Sequence, residues 1–246
     1  GNAGTINGSI NIGGASFFAA GTGHLNLTNS QVSVSAAAAA ASAAAVNIGR
    51  SGMGTANLDA SSITVTDGTA SKGSVYVGRD AGSNGTLTLN NGSTVNAGFV
   101  GVGVSAPGTG NAPAGTGGTG QLNIGNGIGQ SAVHASRVEV GAGGTVNVNA
   151  GGTLNISSLG STNTVPPLSS SVYVAQQANS TGTLVLGNLT TPGATLQADF
   201  VGIGVNVKAV ANGGTLVQSN GGAGTLVLNN STVNTKHFEL GANSLL

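Results

Sequence analysis

Six acidic and six basic side chains carry all the charge in 246 residues. Any acid–base chemistry must therefore come from Asp59, Asp67, Asp80, Glu139, Asp199 and Glu239. Glu139 in VEVG and Glu239 in FELG sit in matching local contexts and form the best-aligned pair for cleaving a polysaccharide. That reaction needs two carboxyl groups roughly 5–9.5 Å apart, flanking the scissile bond. The serines have no His and acid at the spacing of a nucleophilic triad. Cysteine is absent, and His24, His134 and His237 are far apart in sequence, so neither a thiol nucleophile nor a zinc-ligand spacing is present. The aspartates do not recur as calcium-binding nonapeptides require. GVGV at Gly101 and GIGV at Gly202 lack the GxGxxG spacing and following helix of a phosphate loop. The sequence predicts no enzyme, no metal site and no cofactor.

Binding chemistry is better represented. Tyr76 and Tyr173 stand in identical VYV contexts, with Arg79 close to the first and Arg50 in the matching place one repeat earlier. Tyrosines with polar neighbours can hold a sugar by stacking and hydrogen bonding. Equal numbers of acids and bases leave no bulk electrostatic attraction to nucleic acid or to an anionic membrane. No apolar run approaches the roughly 18 residues of a membrane helix, so a membrane span is not expected.

These residues must be positioned by something repetitive. Only 5% of residues are charged and 3% aromatic, 45 are glycine, and mean hydropathy is +0.22. Disordered chains are poor in aliphatics and usually carry net charge, whereas here Val, Leu and Ile recur at regular places. A first motif occurs at Gly23 (GHLNL), Gly54 (GTANL), Gly85 (GTLTL), Gly120 (GQLNI), Gly144 (GTVNV), Gly182 (GTLVL) and Gly224 (GTLVL). Each is followed by a second, as in QVSV at Gln31 or SITV at Ser62, and a third, as in VNIG at Val46 or VYVG at Val75. A partial copy, SINIG at Ser9, precedes them.

Period-two alternation places Val77, Leu87, Leu89 and Val95 on one face and Tyr76 and Thr88 on the other. Gly78, Gly85 and Gly92 are expected at corners. The inward aliphatics of a single coil fall short of the entropy of ordering it, so the coils must stack through parallel ladders. The expected fold is all-β, a parallel β-helix or β-solenoid of about seven three-strand coils forming one domain over 1–246. Corner insertions are expected near 35–45, 105–118, 157–171 and 206–222, the first an alanine run read as a small helix or an irregular bulge. Replacing Leu87 by Asp should break the stack, and replacing Tyr76 by Ala should leave it intact.

Stacking creates two outward columns. On the third strand, Asn47, Tyr76, Glu139, Tyr173 and Glu239 line up, with Arg50 and Arg79 beside the first two; they form either a ligand-binding file or plain solvated surface. Glu139 and Glu239 then lie three coils apart, about 14 Å on a rise of about 4.8 Å per coil, too far for a glycosidase pair. On the first strand, Thr55, Thr86, Thr88, Asn123, Thr145 and Asn147 stack. They form either hydrogen-bonded ladders that strengthen the coil or a flat ice-binding face.

GTLTLNNGSTVNAG and VYVGRDAGSNGTLTL, with their copies from Ser9 to Gly241, resemble passenger regions of Gram-negative type V secreted proteins. These are autotransporters and two-partner-secretion haemagglutinin-like or biofilm adhesins. The resemblance implies a right-handed helix, export across the outer membrane, and a non-enzymatic role at the bacterial cell surface or in the extracellular matrix, in adhesion, aggregation or biofilm scaffolding. Partners would be extracellular polysaccharide or another copy of the chain, end to end or lateral. An ice-binding protein and a polysaccharide-degrading β-helix enzyme are the alternatives. The start at Gly1-Asn2-Ala3-Gly4, already within the repeat style, suggests a segment of something longer.

Overall fold

The computed structural model describes residues 3–14, 20–36, 44–67, 73–107, 114–157, 170–208 and 217–246. Most of the alanine run, and with it the helix-or-bulge question, lies outside them, as does Pro166-Pro167. Among the described residues every regular element is a strand. β1 (Ala3–Asn7) and β2 (Ser9–Ile12) come first, followed by β3 (Thr22–Thr28), β4 (Gln31–Ala36), β5 (Ala45–Ile48), β6 (Met53–Asp59), β7 (Ser62–Asp67) and β8 (Ser74–Val77). β9 (Asn84–Asn90) and β10 (Thr94–Val102) lead into a hairpin of β11 (Val104–Pro107) and β12 (Ala114–Thr116), then β13 (Thr119–Ile124) and β14 (Ser131–Val140). β15 (Gly144–Val148), β16 (Gly152–Ile156), β17 (Ser171–Val174), β18 (Thr181–Leu186) and β19 (Ala194–Ile203) come next. A second hairpin, β20 (Val205–Lys208) and β21 (Val217–Asn220), precedes β22 (Ala223–Leu228) and β23 (Ser231–Leu240).

The first-motif strands form a seven-stranded sheet in the order β22-β18-β15-β13-β9-β6-β3, and the second and third motifs share a twelve-stranded sheet. All pairings within these two sheets are parallel, the arrangement of a β-solenoid; the two hairpins are antiparallel. Register follows the motifs residue for residue, so that Leu58, Leu89 and Ile124 stack. The inward residues join one aliphatic core, in which Val77, Leu87, Leu89 and Val95 are fully buried.

The second and third motifs are not always separate strands. In β10, β14, β19 and β23 they run together as one strand of nine or ten residues. In β10 the buried Val95 and Ala97 are followed by the buried Val100 and Val102. Two residues rather than one separate Ala97 from Val100, so the pleat slips phase and the chain bends without leaving the ladder. The same slip occurs between Ala135 and Val138 and between Ala198 and Val201. The last inward residue before the bend is alanine in all three, which leaves room for the turn.

Two kinds of corner close each coil. After the third strand, the N–H of Gly49, Gly78 and Gly103 donates to the carbonyl of Ile12, Ile48 and Val77 one coil back, at 2.8 Å each. Gly78 has φ +69°, which a side chain strongly disfavours. Gly85, expected at a corner, instead lies within β9, outside the left-handed region of φ. A methyl there would overlap the Ile48 carbonyl and the Gly78 nitrogen, so close approach of two backbones selects glycine. After the first strand, serines stack. Ser93 Oγ accepts from Ser61 N–H at 3.1 Å and donates to the Asn90 carbonyl at 2.6 Å, while Ser61 Oγ accepts from Ser30 N–H at 3.0 Å. Each hydroxyl thus continues the ladder where backbone pairing lapses.

Candidate functional site

The third-strand column exists as a file of Cα partners through Asn11, Asn47, Tyr76, Gly101, Glu139, Tyr173, Gly202 and Glu239. Its exposure differs from the sequence expectation. Asn47 is 1%, Tyr76 4%, Glu139 2% and Tyr173 0% exposed, and Glu239 is half-buried. Tyr76 therefore does not face solvent, and its truncation cannot be neutral for the fold. The physical reason is a second, outer layer of packing. Phe99 lies beside Tyr76 with ring centroids 5.6 Å apart, and Val104, at the root of the β11–β12 hairpin, folds back over Gly101. A Cβ on Gly101 would come within 2.6 Å of Val104. Tyr173, Phe200, Gly202 and Val205, at the root of β20–β21, repeat the arrangement with centroids 5.4 Å apart.

Each tyrosine carries an arginine. The Arg79 guanidinium lies 4.6 Å from the Tyr76 ring centre, donates through Nη1 to Asn47 Oδ1 at 2.9 Å, and has Asp80 at 4.0 Å, the edge of ion-pair range. Asn47 in turn donates to Asn11 Oδ1 at 2.9 Å. Burial pushes the Arg79 pKa down from its ordinary value; the Tyr76 side chain opposes that shift, and the positive Arg50 adds to it. Arg50 is half-buried and has no carboxylate within pairing distance among the described residues. In the second cluster Arg137 lies 5.0 Å from the Tyr173 ring centre, pairs with Glu139, and donates to Gln176 Oε1 at 3.0 Å. Burial raises Tyr173 to about 12, with Arg137 partly opposing it, and burial likewise raises Tyr76.

The first-strand face carries the other predicted file. Thr55, Thr86, Gln121, Thr145, Thr183 and Thr225 are successive Cα partners, as are Asn57, Thr88, Asn123 and Asn147. Their side chains are exposed or half-buried. Asn57 donates to Asn26 Oδ1 and Asn147 to Asn123 Oδ1, both at 2.9 Å, and Asn123 reaches Thr88 Oγ1 at 3.5 Å. These bonds form an amide ladder on the outside of the sheet.

No family model, curated protein or solved structure matches the chain. Its chemistry is therefore read from its own geometry. Among the described residues no three His, Asp or Glu side chains gather as metal ligands would. Open grooves of about 580, 450 and 320 Å³ lie along corners; the first is lined by polar and small residues such as Asn29, Ser30, Gln31, Ser62 and Thr94, and the second includes Ile156 and the Asp199–Lys236 ion pair. Sequence reasoning missed Phe99, Phe200, Val104, Val205, Arg137 and Gln176. The signal was available in the near-identity of FVGVGV (99–104) and FVGIGV (200–205), each one coil after an SVYV strand.

Proposed function

We propose that the chain is a non-enzymatic structural and adhesive segment of a secreted cell-surface adhesin or extracellular fibre, acting in adhesion, aggregation or biofilm scaffolding. The observation that carries this reading is the single aliphatic core threading parallel, in-register strands from β3 to β22, the construction of a stiff spacer. The repeat resemblance to type V passenger regions points the same way and suggests a right-handed coil, export across the outer membrane and display at the bacterial surface. Of the two glutamates aligned by the repeat, Glu139 is buried against Arg137, and both tyrosines of the outward file lie under hairpin roots, which supports a packing role for them. Partners on this reading are an extracellular polysaccharide or a second copy of the chain.

The test is adhesion itself. Beads coated with the protein should aggregate or adhere to a polysaccharide-bearing bacterial surface, whereas beads coated with a globular control should not. Equal behaviour of the two bead sets would refute the adhesive role, and depolymerisation of any member of a polysaccharide panel, abolished by Glu139→Gln, would replace it with an enzymatic one.

A second reading has one specific observation in its favour. Thr55 and Thr86, and beyond Gln121 Thr145, Thr183 and Thr225, stand on adjacent rungs of one sheet at about 4.8 Å, a repeated hydroxyl array of the kind an ice surface requires. It predicts thermal hysteresis at micromolar protein that Thr86→Tyr or Thr145→Tyr abolishes.

A further inference from the structure

We propose that Arg50 and Arg79 form a two-guanidinium site for an oxyanion carried by an acidic glycan, such as a uronic-acid carboxylate; this rests on the adhesive reading above and names the ligand class. The two arginines occupy the same corner position in successive coils, with the Arg79 N–H bonded to the Gly49 carbonyl and the Asp80 N–H to the Arg50 carbonyl, at 2.9 and 3.1 Å. Adjacent coils are about 4.8 Å apart, so the two positive groups are neighbours. One carboxylate, Asp80, stands at the edge of pairing distance from Arg79, and none among the described residues stands there from Arg50. Arg50 Nε is shielded from solvent and lacks a hydrogen-bond partner.

Packing does not require the pair. In the second cluster the position matching Arg79 is Gln176, and the corner folds there with its charges matched, because Arg137 pairs with Glu139 and donates to Gln176. The first cluster is thus under-neutralised at a place where the fold tolerates a neutral residue. Like charges held together disfavour the folded state unless an anion intervenes. Arg79 is already fixed by the Tyr76 ring and Asn47, so little freedom is lost when an anion docks. Planar guanidiniums suit carboxylates and other oxyanions, to which they offer paired donors. The balanced net charge of the chain does not argue against the site, since the attraction is local.

The test uses the intact chain with oligogalacturonate as probe, the same oligomer fully methyl-esterified as its neutral counterpart, and sodium sulfate as a free oxyanion, at matched ionic strength. Oligogalacturonate should bind and the ester should not. Arg50→Gln should weaken binding about tenfold, the worth of one charge-assisted contact, and Asp80→Asn should tighten it several-fold. Without ligand, Arg50→Gln should melt at the wild-type temperature or slightly above it, because it relieves repulsion without removing an ion pair. Equal binding of acid and ester, or an Arg50→Gln variant that binds like the wild type, overturns the proposal. Stabilisation by sulfate without oligogalacturonate binding overturns its glycan half. If the acid fails to bind while coated beads still adhere, the site is wrong and the adhesive role survives. If the beads fail too, the underlying reading is wrong.

Discussion

Tyr173 concentrates what a single residue contributes here. It is fully buried, packed on Phe200 and beneath Arg137, and burial raises its pKa from 10.0 to about 12. The folded protein holds that proton more tightly than the unfolded chain does. The stabilisation is therefore complete below pH 10 and is lost as pH rises from 10 through 12, by about 3 kcal/mol on a shift of this size. Denaturant titrations between pH 9 and 12 should show this fall, and Tyr173→Phe should reduce it, leaving the share of Tyr76, whose pKa burial also raises. Tyr76→Ala, by emptying the Ala45–Phe99–Val104 cluster, should cost about 3 kcal/mol in the same measurement. A cost below about 0.5 kcal/mol would mean that the outer layer does not contribute to stability.

At the scale of the element, the corner decides more than the strand. Strands of this composition pair in register because a shift by one residue would turn Leu87 and Leu89 outward. The corner must reverse the chain while keeping the ladder intact, and the serine stack does so with side-chain oxygens. Ser93 is fully buried, and its hydroxyl both accepts from Ser61 and donates to Asn90. Ser93→Ala leaves the Ser61 N–H buried without a partner and should cost about 2 kcal/mol. Ser93→Thr should recover part of that loss if the hydroxyl, rather than the small volume, is what matters. Thermal melts of the two variants separate these causes.

Across the whole molecule the coils behave as a one-dimensional array in which each contacts its neighbours. A defect should then depend on how many neighbours it disrupts. Leu87 is fully buried in a strand flanked on both sides, whereas Leu25, in the equivalent inward place on β3, is only partly buried and has one neighbour in its sheet. Leu87→Asp should abolish cooperative unfolding, and Leu25→Asp should leave most of the transition in place, as judged by circular dichroism against denaturant. Equal effects would mean that the stack unfolds as one indivisible unit.

Stacking order was legible in the sequence because it follows from period two and from recurrent motifs, both of which are local. Asn57 over Asn26 and Leu89 over Leu58 could be aligned from their motifs alone. The aliphatic core at Val77, Leu87, Leu89 and Val95 followed from the same alternation. What alternation cannot report is whether an outward side chain meets water. Tyr76 and Tyr173 do point away from the core, but hairpin roots arriving from Val104 and Val205 cover them. That coverage depends on a chain reversal one coil later in the sequence, a non-local event that the alternation of inward and outward residues does not encode. The phase slip at Gly98-Phe99, which fuses two expected strands, was hidden for a related reason: the motif spacing is the same whether the ladder breaks or bends. The sequence by itself determined the parallel stack, its register and its core, since each is fixed by neighbour-to-neighbour repetition. Only the tertiary structure decided which outward residues became a second core and left Arg50 and Arg79 at its edge, because burial there is set by what folds over the surface.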